Sequence, residues 1–245
     1  MILITGATGK TGYEVAKSLA ELSIPFKALI RNSTKASEIT ELGGQPLVGS
    51  IEDDDLLNQA LEGVDKTLLL LPNSEQQLSL EKRFVDAAVK AGVKHVVKMS
   101  SMEALPEATR TIPRMHVESE NHIKDSGLSW TMIKPNFFMQ NLLGAGKTIK
   151  EQSKIFFPFE NGTTAMMDVR DIGLFIAKVL SDEGHNNQNY EITGPELLSF
   201  HEVAEKFSIV LGKEINYVSV PMDAYKTTLS QFVTCLLYTS DAADE

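Results

Sequence analysis

The chain opens on a short apolar run, Ile2-Leu3-Ile4, that breaks directly into Thr5-Gly6-Ala7-Thr8-Gly9-Lys10-Thr11-Gly12. Glycines at every third position, set between a strand-like run and an amphipathic helix-like run, leave few folds open. Gly6 permits a tight turn, Gly9 has no side chain to hold a ligand off the backbone, and Gly12 lets the next helix lie close to the sheet. The free amides of the first helical turn, backed by the helix dipole, then face a phosphate. Such a pattern is weak alone. Its place between an unbroken strand and an amphipathic helix makes it a dinucleotide signature. Gly6, Ala7, Thr8, Gly9, Lys10, Thr11 and Gly12 are the expected pyrophosphate cradle.

The rest of the first half keeps the same rhythm. Strands are expected over 1–5, 26–30, 46–48, 67–71, 95–99 and 129–133. Helices are expected over 10–22, 34–42, 53–61, 75–91 and 113–125, the last opened by Pro113. Glycines at 43–44, 63, 92 and 127 and prolines at 72 and 135 mark the stops. This is a pair of βαβαβ halves, hence an α/β doubly wound parallel sheet of Rossmann type, assigned to residues 1–140. Further on, helices are expected over 141–152 and 168–181, and a hairpin pairs 155–159 with 163–167 over Glu160-Asn161-Gly162. A strand at 188–193, a helix capped by Ser199 and a strand at 215–218 follow. Residues 141–234 read as a small α/β C-terminal substrate lobe, interleaved with the first domain.

Residues 235–245 resemble the translated end sequence and adapter of a transposon-based DNA library. They are set aside as a non-native tail, with the sole cysteine, Cys235, and the lobe is expected to be truncated after Thr234. With 245 residues, 42% of them hydrophobic, the chain can bury one large α/β core with a small lobe. Acidic residues outnumber basic ones 33 to 23, for a net charge of −10, which argues against a nucleic-acid partner. The apolar run Leu68–Leu71 falls far short of the roughly 20 residues of a membrane span. A single cysteine and no signal-like N-terminus fit a cytoplasmic protein with no membrane partner. His95, His116 and His122 are scattered rather than set at metal-ligand spacing, so no metal is expected.

Arg31 ends the second strand, where NAD-selective sites carry an acid for the ribose diol. A guanidinium suits a 2′-phosphate, and Lys35 adds a second cation one turn on, so NADPH is expected over NADH. Loops at the carboxyl ends of other strands complete the site: Leu71-Pro72-Asn73, Ser100-Ser101 and Pro135-Asn136-Phe137-Phe138.

The stretch Thr5 to Gly12 resembles the signature of extended and atypical short-chain dehydrogenase/reductase proteins, in particular the NmrA-like branch and its NAD(P)H:quinone oxidoreductases. Leu29-Ile30-Arg31-Asn32, His116-Val117-Glu118-Ser119-Glu120, Thr131 to Asn141, Asp168 to Ile172 and Tyr190 to Pro195 follow that branch in order and spacing, over residues 1–220. The wider family uses a Tyr and, four residues later, a Lys. Here those positions hold Ile112 and His116, so the usual proton-donating dyad is absent, as is common in the NmrA-like branch. The resemblance implies an NADPH-dependent reductase of quinone-like or other apolar electrophiles, in which orientation of the nicotinamide carries much of the catalysis.

Ser100 and His116 are the candidate polar helpers, with Glu120 one turn on to orient His116. Phe137, Phe138 and Met139 could wall a flat apolar substrate or simply pack the core. The expected partner is a small-molecule electron acceptor. A non-catalytic NADP(H) sensor that regulates a partner protein is the rival, and a homodimer stays open. A sugar-nucleotide epimerase fits less well, because it would need the missing Tyr and Lys.

Overall fold

The computed structural model of the protein describes residues 1–229. The suspected tail 235–245 lies outside the described residues. In chain order the first half runs β1 (Ile2–Thr5), α1 (Lys10–Glu21), β2 (Phe26–Ile30), a 3-10 turn (Ser33–Lys35), α2 (Ala36–Glu41), β3 (Gln45–Val48), α3 (Asp54–Leu61), β4 (Lys66–Leu69), α4 (Gln77–Lys90), β5 (His95–Met99), α5 (Thr111–Asp125) and β6 (Ser129–Pro135). The second half runs a 3-10 segment (Met139–Ala145), α6 (Gly146–Gln152), β7 (Lys154–Phe157), β8 (Thr163–Thr164), α7 (Val169–Ser181), β9 (Gln188–Ile192), β10 (Leu198–Ser199), α8 (Phe200–Leu211), β11 (Asn216–Ser219) and α9 (Met222–Leu229).

Seven strands form one sheet in the order β3-β2-β1-β4-β5-β6-β9, and every pairing in it is parallel. An all-parallel sheet needs cover on both faces, which is why β1 is buried along its whole length and β5 likewise. The chain winds outward from β1 to β3, then returns to place β4 on the other side of β1. That reversal opens a crevice at the carboxyl ends of β1 and β4, where ligands of doubly wound sheets bind. One apolar core lies between the sheet and the helices: Leu3, Leu57, Leu61, Phe84, Val85, Val96, Ile123 and Met132 are all buried in it. Each such side chain contributes about 1.5–3 kcal/mol on burial.

The chain forms two compact units. The first is Met1–Pro135 with Val169–Ile192, so α7 and β9 belong to the sheet rather than to the C-terminal lobe. The second contains Asn136–Asp168 and the described residues from Thr193 onward. Its core is aromatic: Phe137 meets Phe157, Phe159 and Phe200 edge-on, with centroids 5.7 to 6.2 Å apart, and Phe159 stacks on Phe200 at 4.5 Å.

The expected hairpin does not form. The turn at Glu160-Asn161-Gly162 exists, with Gly162 N–H donating to Phe159 O at 2.6 Å, but the flanking strands part. β7 pairs in parallel with β11, and β8 pairs antiparallel with β10. Two other expectations change. Residues 141–152 are not one helix, because the 3-10 segment precedes α6. α5 starts at Thr111, which puts Pro113 at its third position, where the missing N–H would have had no acceptor within the helix.

Candidate functional site

Strand β1 delivers the glycine loop to the carboxyl edge of the sheet. Thr5 fixes its entry: the hydroxyl donates towards Leu68 O and Leu70 O at 3.1 and 3.0 Å, and Leu70 N–H donates back at 2.8 Å. Gly6 turns with φ +67°, and a Cβ there would sit 2.6 Å from Leu70 O. Gly12 packs so tightly that a Cβ would collide with the Gly6 carbonyl. These two glycines are demanded by the protein's own backbone. Gly9 is different. Its φ of −85° suits any residue, and a Cβ there would meet only Gly6 O, at 3.4 Å. Nothing in the fold requires glycine at position 9, yet it lies on the exposed crest of the loop. What it spares is space outside the chain.

The helix start behind the loop carries no side-chain cap and no acid in its first turn. Tyr13 N–H is the first to bond back along the helix, to Gly9 O at 2.9 Å, so the amides of Lys10, Thr11 and Gly12 have no acceptor one turn back. Ala7 is fully buried, Thr8 is half-buried and Lys10 is exposed. At the end of β2, Arg31 is exposed. Lys35 lies 3.7 Å from Glu38, an exposed pair of low worth that a ligand phosphate can displace. Leu71 and Asn73 are half-buried just beyond β4, and Pro72 between them is exposed.

Beneath the carboxyl edge, between β5, β6, α4 and α5, lies a set of buried charges of which the sequence singled out Glu120 but not its partners. Lys98 donates to both oxygens of Glu81 at 2.8 Å, and neither side chain reaches water. Lys134 approaches Glu120 at 3.0 Å. Its signal was a lysine inside an apolar strand, and Lys98 carried the same one. Glu120 does not orient His116, as its spacing suggested. Its Oε1 instead accepts from Ser100 Oγ at 2.6 Å. His116 Nδ1 is buried without a partner among the described residues, as are Ser119 Oγ and Gln77 Oε1. Burial, followed by the nearby Lys98 and Lys134 charges, holds His116 well below the usual histidine pKa. It is a neutral group at physiological pH, so it can hydrogen-bond but brings no charge to an acid role.

Ile112, at the position of the family tyrosine, is fully buried. Pro135 is buried at the end of β6, and Asn136 Oδ1 accepts from Phe137 N–H at 2.6 Å and Thr164 Oγ1 at 2.9 Å. Phe137 is a core residue of the second unit, while Phe138 is half-buried and Met139 exposed. Among the described residues, no cluster of three or more His, Cys, Asp or Glu side chains could hold a metal, and no helix is long and apolar enough to cross a membrane.

The chain has clear relatives. It is 36% identical over 230 residues to an NAD(P)H azoreductase of Xenophilus azovorans, covering 94% of this chain and 80% of that one. It is 29% identical over 222 residues to quinone oxidoreductase 2 of Escherichia coli, covering 89% and 77%. Among solved structures, the NADPH-dependent quinone oxidoreductase of Escherichia coli in complex with NADPH superposes with a TM-score of 0.88 at 26% identity, covering 100% of this chain and 87% of that one. The triphenylmethane reductase of Citrobacter sp. in complex with NADP(H) gives 0.86 at 25%, covering 99% and 87%. The sequence profile of the NmrA-like family matches residues 1–242. A glycine loop at the switch point of a 3-2-1-4-5-6 parallel sheet, read with that profile, makes this chain a member of the NmrA-like family.

Proposed function

We propose that this chain is an NADPH-dependent oxidoreductase that passes hydride to quinone-like or other apolar electrophilic small molecules. The observation that carries the reading is Gly9: a glycine the fold does not need, on the open crest of a loop whose two other glycines it does need. Removing that side chain lets a pyrophosphate reach the free amides of Lys10, Thr11 and Gly12. The azoreductase, the quinone oxidoreductase and the triphenylmethane reductase support the reaction class, since their names describe NAD(P)H-linked reduction of azo, quinone and triphenylmethane acceptors.

The residues fit the cofactor. The loop amides bind the pyrophosphate, Arg31 with Lys35 binds the 2′-phosphate, and Leu71, Pro72, Asn73 and Pro135 complete its surroundings. When bound, the reduced nicotinamide supplies the hydride. Ser100 holds a proton near the carboxyl end of β5, and neutral His116 offers a hydrogen bond. Phe138 and Met139 are proposed to touch the acceptor, with Phe137 supporting them from the core.

Steady-state oxidation of NADPH against a panel of simple quinones tests the reading, with NADH as the paired cofactor. Turnover with preference for NADPH supports it. Tight NADPH binding without turnover of any quinone or dye favours the sensor instead, a reading that draws on buried Ile112 and neutral His116 at the dyad positions.

A further inference from the structure

Glu120 sits at a junction. Its Oε1 lies 2.6 Å from Ser100 Oγ and 3.0 Å from Lys134 Nζ, and its Oε2 lies 3.4 Å from Lys124 Nζ. The partners differ in their access to water. Ser100 and Lys134 are buried, whereas the Lys124 side chain is 33% exposed and rests 5.2 Å from the Trp130 ring. A buried carboxylate needs one counter-ion, and Lys134 serves Glu120 as Lys98 serves Glu81. Lys134 is further held by donating to Ala104 O at 3.0 Å. The second ammonium on Glu120 adds something a structural pair does not require, which is a connection to solvent. Polar atoms therefore run without a gap from water through Lys124 Nζ and Glu120 to Ser100 Oγ, just past the carboxyl end of β5.

The geometry points to this line as a proton relay that reloads Ser100 while a carbonyl-type acceptor is reduced. The inference rests on the reductase reading above and adds the source of the proton. A quinone reduced by two electrons takes up one hydride and one proton. The Ser100 hydroxyl turns from Glu120 towards the acceptor and gives its proton to the acceptor oxygen. Lys124 Nζ gives a proton to the Glu120 carboxylate at Oε2, the carboxylic acid so formed turns and hands that proton to Ser100 Oγ to become a carboxylate again, and water returns one to Lys124. One solvent proton is consumed per turnover, and all three side chains end as they began. His116, buried and neutral, does not compete as a charged donor.

The test compares two acceptors with different proton needs. A benzoquinone needs the proton. A triphenylmethane dye cation takes hydride at its central carbon and becomes neutral without one. In Glu120→Gln the ratio of quinone to dye kcat is expected to fall roughly 10²-fold, the scale of a lost general acid. Lys124→Gln, at a partly exposed position, lowers the same ratio on the order of tenfold and decides the matter if Glu120→Gln does not fold. A solvent deuterium effect on kcat accompanies quinone and not dye in the unsubstituted protein. Folded variants that keep the parent ratio overturn the relay alone, as does an equal isotope effect on both acceptors. If the unsubstituted protein turns over neither acceptor, the reductase reading fails and the relay falls with it.

Discussion

Lys98 Nζ stands 2.8 Å from each carboxylate oxygen of Glu81, with both side chains sealed from solvent. Gln77 Nε2 adds a third donor at 3.2 Å. Desolvation makes such a pair costly to break and cheap to replace. Glu81→Gln or Lys98→Met alone should lower unfolding free energy by about 3–5 kcal/mol. The double replacement Glu81→Leu with Lys98→Met should recover most of that loss. Urea unfolding of the three variants checks it; losses that simply add would show that the pair is not the unit.

The glycine loop gives a separable pair of substitutions. Gly12→Ala forces a methyl into the Gly6 carbonyl, so it should lower thermal stability together with cofactor affinity. Gly9→Ala meets only an ordinary contact and an ordinary backbone conformation, so its Tm should stay near the parent's. Its NADPH Kd should nonetheless rise at least about tenfold, a loss of roughly 1.4 kcal/mol. Thermal melts with and without NADPH separate the two. A Gly9→Ala protein that binds NADPH as the parent does would refute a phosphate at the loop crest.

Arg31 is exposed at the end of β2. Arg31→Ala should weaken NADPH by about 1.5–3 kcal/mol, the worth of hydrogen bonds to a charged group, and leave NADH nearly untouched. Arg31→Asp should invert the preference by accepting from the ribose diol. Calorimetric titration of both cofactors reads it, and an equal loss for NADH would place the guanidinium elsewhere.

Acid should destabilise the fold through histidine. Burial, then the Lys66 charge, lowers the His95 pKa from 6.5 to about 4. The unfolded chain then binds more protons than the folded one between those values. The contribution of His95 is complete above pH 6.5 and fades as pH falls towards 4. His116 acts with the same sign. Unfolding midpoints at pH 7.5 and 5 should differ, and His95→Asn should reduce the difference while His116 keeps part of it. An unchanged slope would contradict the assignment.

The parts of this molecule that were legible in its sequence are the ones set by neighbours along the chain. The strand, turn and helix from Ile2 to Glu21 follow from local glycine chemistry and helical periodicity, and the Ser199 cap of α8 is local in the same way. Asn161-Gly162 did signal a turn, but pairing is a long-range choice, and β7 found β11 rather than the strand beside it. The membership of α7 and β9 in the sheet unit is long-range in the same way. A Cβ on Gly173 would press within 2.6 Å of the Glu14 Cβ, so α7 lies close against α1, a contact no local window reveals. The pairing of Glu81 with Lys98 and of Glu120 with Lys134 was hidden for a different reason. In a sequence a buried ion pair looks like surface charge. Only the apolar residues around Lys98 and Lys134 marked them as facing inward.

The central claim is that Gly6 to Gly12 grips a pyrophosphate while Arg31 grips the additional phosphate of NADPH. Titrating NADPH, NADH and 2′-phospho-ADP-ribose into the same sample tests it most directly. The account predicts saturable binding of NADPH and of the phosphorylated fragment, with NADH weaker by at least about tenfold. No binding of any of the three, or equal affinity for NADPH and NADH, would contradict it.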